Sequence, residues 1–153
     1  MTQAITTTEK HNAAGERVVI SPDEFGSGAP MEVGRTGVRD KKLIYPEMGF
    51  DAATLCLGVV EIDPGHHSPL HRHNCEEVYL VIEGTGYVEQ EGETFPLNTG
   101  DAVLNRVNVD HRVFNTGDTT MRLAVVGGIM LVPLLPTWPT DSPYEILEPA
   151  GEN

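Results

Sequence analysis

Basic side chains are scarce in this sequence. Ten Lys and Arg stand against 23 Asp and Glu, a formal charge of −13. Phosphate backbones and anionic lipid surfaces repel so acidic a chain, which argues against nucleic acid or a membrane as partner. Cysteine is limited to Cys56 and Cys75. No apolar run is long enough to cross a bilayer, since the longest, Leu123 to Leu135, is broken by Gly127, Gly128 and Pro133. The first residues, Met1 to Asn12, are polar and rich in Thr, unlike a secretory signal. A cytoplasmic protein with reduced thiols is expected. Helical signals are missing as well: no stretch of ten residues joins a 3.6-residue apolar period to a cap.

What the sequence has in plenty is punctuation. Its 153 residues include 16 Gly and 11 Pro, enough turns for many short strands, and the length fits one domain with a sizeable core. Short apolar runs alternate with turn signals from Leu43 onward, as in sandwiches and barrels. The expected strands are Leu43–Tyr45, Thr54–Ile62, Leu70–His73, Glu77–Glu83, Gly86–Gln90, Glu93–Leu97, Ala102–Asn105, His111–Asn115 and Met121–Val126. Asp63-Pro64-Gly65, Glu83-Gly84, Glu91-Gly92, Thr99-Gly100-Asp101 and Thr116-Gly117-Asp118 supply the turns. Residues 1–40 read as a leader and extended N-terminal arm, with a short strand at Val18–Ile20 and a local basic stretch of Arg35, Arg39, Lys41 and Lys42. That stretch reads as a solvated arm, or else as one that crosses to a partner subunit or covers a pocket mouth. Residues 41–135 read as the barrel, and 136–153 as a Pro-rich C-terminal tail packed along the outside through Trp138 and Leu134.

The chemistry concentrates between Gly65 and Glu77. His71 and His73 are two apart, so a strand projects both imidazoles from one face. Glu77 opens the next strand after a short turn at Asn74-Cys75, and a hairpin there brings its carboxylate beside them. Glu77, Tyr79 and Val81 then point inward, while Val78, Leu80 and Ile82 face the other way on an apolar outer surface. His111, at the start of a later strand, is the natural third imidazole. One histidine alone is more often a hydrogen-bonded core or surface residue than a ligand. Three imidazoles and a carboxylate at this spacing suit one divalent ion: Fe(II), or Mn, Ni, Zn, Co or Cu.

This pattern resembles the cupin superfamily. The first cupin motif is matched by Gly65, His71, His73, Glu77 and Gly84, and the second by Gly100, His111 and Asn115. Arg106 stands where Pro is usual and Asn108 where Gly is usual; Asn tolerates the left-handed conformation that Gly adopts. The resemblance implies an all-β, antiparallel jelly-roll barrel, with the ion held inside by His71, His73, Glu77 and His111. It also implies a homodimer joined sheet to sheet. Many cupin domains are effector sensors fused to a DNA-binding helix-turn-helix, but residues 1–40 show no helical pattern and the charge is wrong for DNA, so an enzyme is expected rather than such a regulator.

Four ligands on a six-coordinate ion leave two positions for substrate, water or dioxygen. The leading expectation is an Fe(II) dioxygenase that cleaves a C–C bond in a small, mainly apolar or aromatic substrate. The alternatives are a redox-neutral isomerase, lyase or decarboxylase, and a non-catalytic small-ligand binder. Glu77 is a ligand in each, so Tyr79 and His67 are left as candidate catalytic groups. Val60, Ile62, Val81 and Val113 are expected to form an apolar pocket wall, with Arg106 as the one cation at the mouth. His66 and His11 receive no role, and Cys56 and Cys75 read as small packing residues.

Overall fold

The computed structural model describes residues 10–21, 24, 31–32, 37–128 and 144–147. Among them the architecture is all-β: β1 (Met31–Glu32), β2 (Val38–Ile44), β3 (Leu55–Ile62), β4 (His71–His73), β5 (Glu77–Glu83), β6 (Thr85–Gln90), β7 (Glu93–Asn98), β8 (Ala102–Asn105), β9 (His111–Asn115), β10 (Met121–Gly128) and β11 (Tyr144–Ile146), with one 3-10 turn at Pro46–Met48. None of the described residues forms a helix long and apolar enough to cross a membrane.

Two antiparallel sheets face each other. One runs β1-β2-β3-β10-β5-β8 and the other β11-β4-β9-β6-β7. Their inner faces meet in a core of Val38, Ile62, Tyr79, Val81, Val88, Leu97, Val113, Met121, Leu123 and Val125. Alternation builds this core: along β10, Met121, Leu123 and Val125 are buried while Arg122 and Val126 are exposed. Pro96 is tolerated because β7 is the edge of its sheet. Gly86 lets β6 approach β9, for a Cβ there would stand 1.9 Å from the Phe114 carbonyl oxygen. Asn108 takes φ 60°, the left-handed conformation expected of it.

Two expectations for the N-terminal third are corrected. Val18–Ile20 is not a strand; the local order there is a single bridge between His11 and Arg17. Arg39, Lys41 and Lys42 do not lie in a solvated arm but in β2, which starts at Val38 and pairs with β3 along its length. Arg39 and Lys41 sit on the outer face, where both bond Glu61, and Arg39 grips Asp63 through both guanidinium branches at 2.8 and 2.7 Å. Arg35 and the anchors Leu134 and Trp138 lie outside the described residues, as does the tail apart from Tyr144–Leu147. Within that piece, β11 pairs with β4.

Candidate metal centre

Three elements position the four side chains. β4 presents His71 and His73 from one face, β9 opens with His111 directly opposite His71, and β5 opens with Glu77. The turn at Asn74–Glu76 is not a hairpin, contrary to the sequence expectation. β4 and β5 belong to different sheets, so the chain crosses the barrel there and Glu77 faces the imidazoles across the interior. All four residues are buried, and their ligand atoms lie within 4.8 Å of one another.

Backbone carbonyls fix the imidazoles. Nδ1 of His71 donates to Pro69 O at 2.7 Å, Nδ1 of His73 to Cys75 O at 2.8 Å, and Nδ1 of His111 to Val109 O at 2.8 Å. A carbonyl only accepts, so each Nδ1 carries the proton and each Nε2 is turned inward. Nε2 of His73 and of His111 both stand 3.2 Å from the same Glu77 oxygen, Oε2. This donor set, with tautomers fixed by outer hydrogen bonds, fits a divalent ion.

The charges agree with that fit. Burial and the neighbouring His111 push His71 down to about 3, which keeps it a neutral imidazole. Burial opposes charge on His73, yet hydrogen bonds with Cys75 and Glu77 outweigh it and raise that ring to about 10. Glu77 is driven the other way: burial would raise it, but the His111 and His73 hydrogen bonds hold it well below the usual carboxylate range. The shifts thus favour a proton on His73 opposite the buried Glu77 carboxylate, and a divalent ion bound by these residues would take the place of that proton.

The remaining predicted site residues fall into two groups. Tyr79 is buried on the ligand face, its ring centroid 6.0 Å from that of His111, and Val113 is buried two residues from His111. His67 is elsewhere: it stacks on Phe114 at 4.5 Å, on the face of β9 opposite His111 and Val113. Arg106 is exposed in the turn after β8. Val60, Ile62 and Val81 are inward but far along the strands. Glu77 is level with Gly127 on β10, Val81 and Val60 with Leu123, and Ile62 with Met121. Along β10, four residues of strand, roughly 13 Å, separate the level of Val60 and Val81 from that of Glu77, and six, roughly 20 Å, separate that of Ile62.

The structure also places polar groups on the inner faces that the sequence reading missed; one of them, Asp40, pairs in register with Val60. Alternation puts Asp40 and Lys42 on the inner face of β2, opposite Arg39 and Lys41. Asp40 is half-buried, and its Oδ1 lies 3.1 Å from where a Cβ on Gly58 would stand; the Tyr45 hydroxyl is 3.6 Å from the same point. Burial pushes the Asp40 carboxyl up to about 6, with Lys42 opposing and Glu77 adding to the shift. Tyr45 is buried, its hydroxyl bonded to the Cys56 sulfur, and Lys42 Nζ lies 5.2 Å from its ring centroid. Asn105 is fully buried and paired in register with Glu77. No sequence signal marked Asp40, because Arg39 to Lys42 are all polar and read as one basic run.

A family model described as "Cupin domain" matches residues 58–127, a span that holds all four ligands. The chain belongs to the cupin family. This cupin is 34% identical to L-ectoine synthase of Mycolicibacterium gilvum, over 71% of this chain and 81% of that protein. It is 32% identical to gentisate 1,2-dioxygenase of a Ralstonia species, over 44% of this chain but 19% of that enzyme. Auxin-binding protein 1 of Arabidopsis thaliana is 33% identical over 41% of this chain, which spans only 36% of that protein's length. Among solved structures, the polyketide cyclase RemF of Streptomyces resistomycificus superposes with a TM-score of 0.56 at 26% identity, over 63% of this cupin and 68% of RemF.

Proposed function

We propose that this cupin is a metal-dependent enzyme that rearranges a small carbonyl-bearing substrate without an external oxidant, by ring closure, isomerisation or elimination. The observation that carries this reading is the sharing of one interior by a metal-ligand cluster and a carboxyl group that changes charge near neutral pH, Asp40. A divalent ion held by His71, His73, Glu77 and His111 would supply Lewis acidity toward a substrate carbonyl and so make the adjacent C–H more acidic. Asp40 is the group suited to take that proton and return it, because burial raises its carboxyl to about 6, where it can both accept and give a proton near neutral pH. Tyr79, Val113 and Val125 keep the neighbouring wall largely apolar, which suits a substrate with an apolar or aromatic body. Two relatives named as a synthase and a cyclase support redox-neutral chemistry.

A second reading, an Fe(II) dioxygenase that cleaves a C–C bond, is favoured by the likeness to gentisate 1,2-dioxygenase and by a ligand set that suits Fe(II). One experiment separates the two. Protein loaded with iron, zinc, manganese, nickel or cobalt is given a panel of diketones and catechols in deuterated water, with oxygen uptake and proton NMR recorded together. Metal-dependent exchange or rearrangement without oxygen uptake supports the redox-neutral reading. Substrate-dependent oxygen uptake with iron alone replaces it with the dioxygenase.

A further inference from the structure

Among the described residues, one buried side-chain polar atom has no hydrogen-bond partner: Nδ2 of Asn105. Its orientation is not arbitrary. Gln90 Nε2 donates to the backbone carbonyl of Leu104 at 3.0 Å, and that acceptor fixes which end of the Gln90 amide is nitrogen. The same Nε2 donates to Asn105 Oδ1 at 2.6 Å, so the Asn105 oxygen faces Gln90 and its nitrogen faces away. Gln90 is opposite His111 in the β6–β9 register, and Asn105 is opposite Glu77 in the β5–β8 register. The Gln90–Asn105 bond therefore bridges the two sheets beside two of the four ligands. Glu77 is the nearest cross-strand neighbour, yet it does not accept the Asn105 amide.

We infer that Asn105 Nδ2 donates to an oxygen atom of the molecule bound at the metal centre, so that this site selects ligands presenting an acceptor oxygen there, as a carbonyl, carboxylate or hydroxamate does. The inference rests on the metal-centre reading above. A buried amide with two free N–H groups is poorly satisfied alone and well satisfied by such an oxygen. Oδ1 is turned to Gln90, and Nδ2 carries only N–H donors, so the end of the side chain that faces away from Gln90 offers donors. An ammonium or another donor placed at that point would be refused. Asn105 also adds no charge beside Glu77, so it binds the oxygen without disturbing the balance between the carboxylate and the imidazoles.

The test uses the full chain loaded with cobalt(II), whose visible spectrum reports both metal and ligand binding. Acetohydroxamate is the oxygen-donor probe, and imidazole is a control that brings no acceptor oxygen. Asn105→Leu, nearly the same size, is expected to keep the wild-type cobalt affinity and melting temperature. Its acetohydroxamate dissociation constant rises about tenfold, and its imidazole affinity changes less than about twofold. Asn105→Ala and Asn105→Ser repeat the measurement if Leu perturbs folding. Unchanged acetohydroxamate affinity, or a wild-type spectrum that ignores acetohydroxamate, overturns the inference. Loss of cobalt affinity with no separate effect on acetohydroxamate also overturns it, since Asn105 would then be positioning Glu77. A wild-type protein that binds no cobalt identifies a different failure, that of the metal-centre reading itself.

Discussion

Each imidazole of the centre is held by one backbone hydrogen bond, so its ring is aimed before any ion arrives. Removing a ring therefore removes a ligand without removing much of the core. His73→Ala and His111→Ala are each expected to weaken metal binding by more than the roughly 10–100-fold that loss of an outer partner costs, while far-UV circular dichroism keeps the β signature. Asp40 gives a second test at this scale, in chelated protein. Its carboxyl pKa rises from 3.8 to about 6 on folding. Folding thus takes up a proton between those values, and stability falls as pH rises through that window. Asn carries no such penalty. Asp40→Asn is expected to stabilise the protein at pH 7.5 by about 1–2 kcal/mol, after allowing for partial solvent access, with the gain gone below about pH 4. A thermal melt at both pH values checks it. The four ligands were legible in the sequence because i, i+2 spacing on a strand and four residue types leave a specific trace. Asp40 and Asn105 left none, because their roles depend on which residues meet across strands and sheets.

Strands were legible to within a residue or two wherever apolar alternation was strong, as in β5, β9 and β10. β2 was hidden. Its outer positions are Arg39 and Lys41 and its inner ones include Asp40 and Lys42, so hydropathy shows no alternation. What makes it a strand is tertiary: Glu61 on β3, only 8% exposed, gathers Arg39, Lys41 and Arg122 from both neighbouring strands. Burial would raise the Glu61 pKa, but hydrogen bonds from Lys41, Arg122 and Arg39 lower it below 4.5. Its contribution is therefore present at neutral pH and lost on acidification through the folded-state pKa. Glu61→Ala is expected to cost about 1–3 kcal/mol in a denaturant melt at pH 7, because three cations lose their shared partner. Gly86→Ala tests the other sheet. The added Cβ would collide with the Phe114 carbonyl oxygen, so β6 and β9 must separate, with an expected loss of about 3 kcal/mol or more in the same melt.

At the scale of the molecule, the outer face of the larger sheet combines the ion pairs around Glu61 with a set of exposed apolar side chains. Leu55, Val78, Leu80, Ile82, Leu104 and Val126 are between 36% and 51% exposed there. We propose that a homodimer forms through these apolar side chains and so covers them on a chain of charge −13. Leu80→Glu is expected to shift elution toward the 16.6 kDa monomer without loss of metal, as light scattering would show. The central claim, however, is the ion between the sheets. Elemental analysis of protein purified without chelator tests it most directly, with His73→Ala and His111→Ala prepared alongside. The account predicts about one divalent transition-metal ion per wild-type chain and little in either variant. Wild-type protein that stays metal-free after incubation with iron, manganese, cobalt, nickel, copper and zinc would contradict it, as would variants with full metal content.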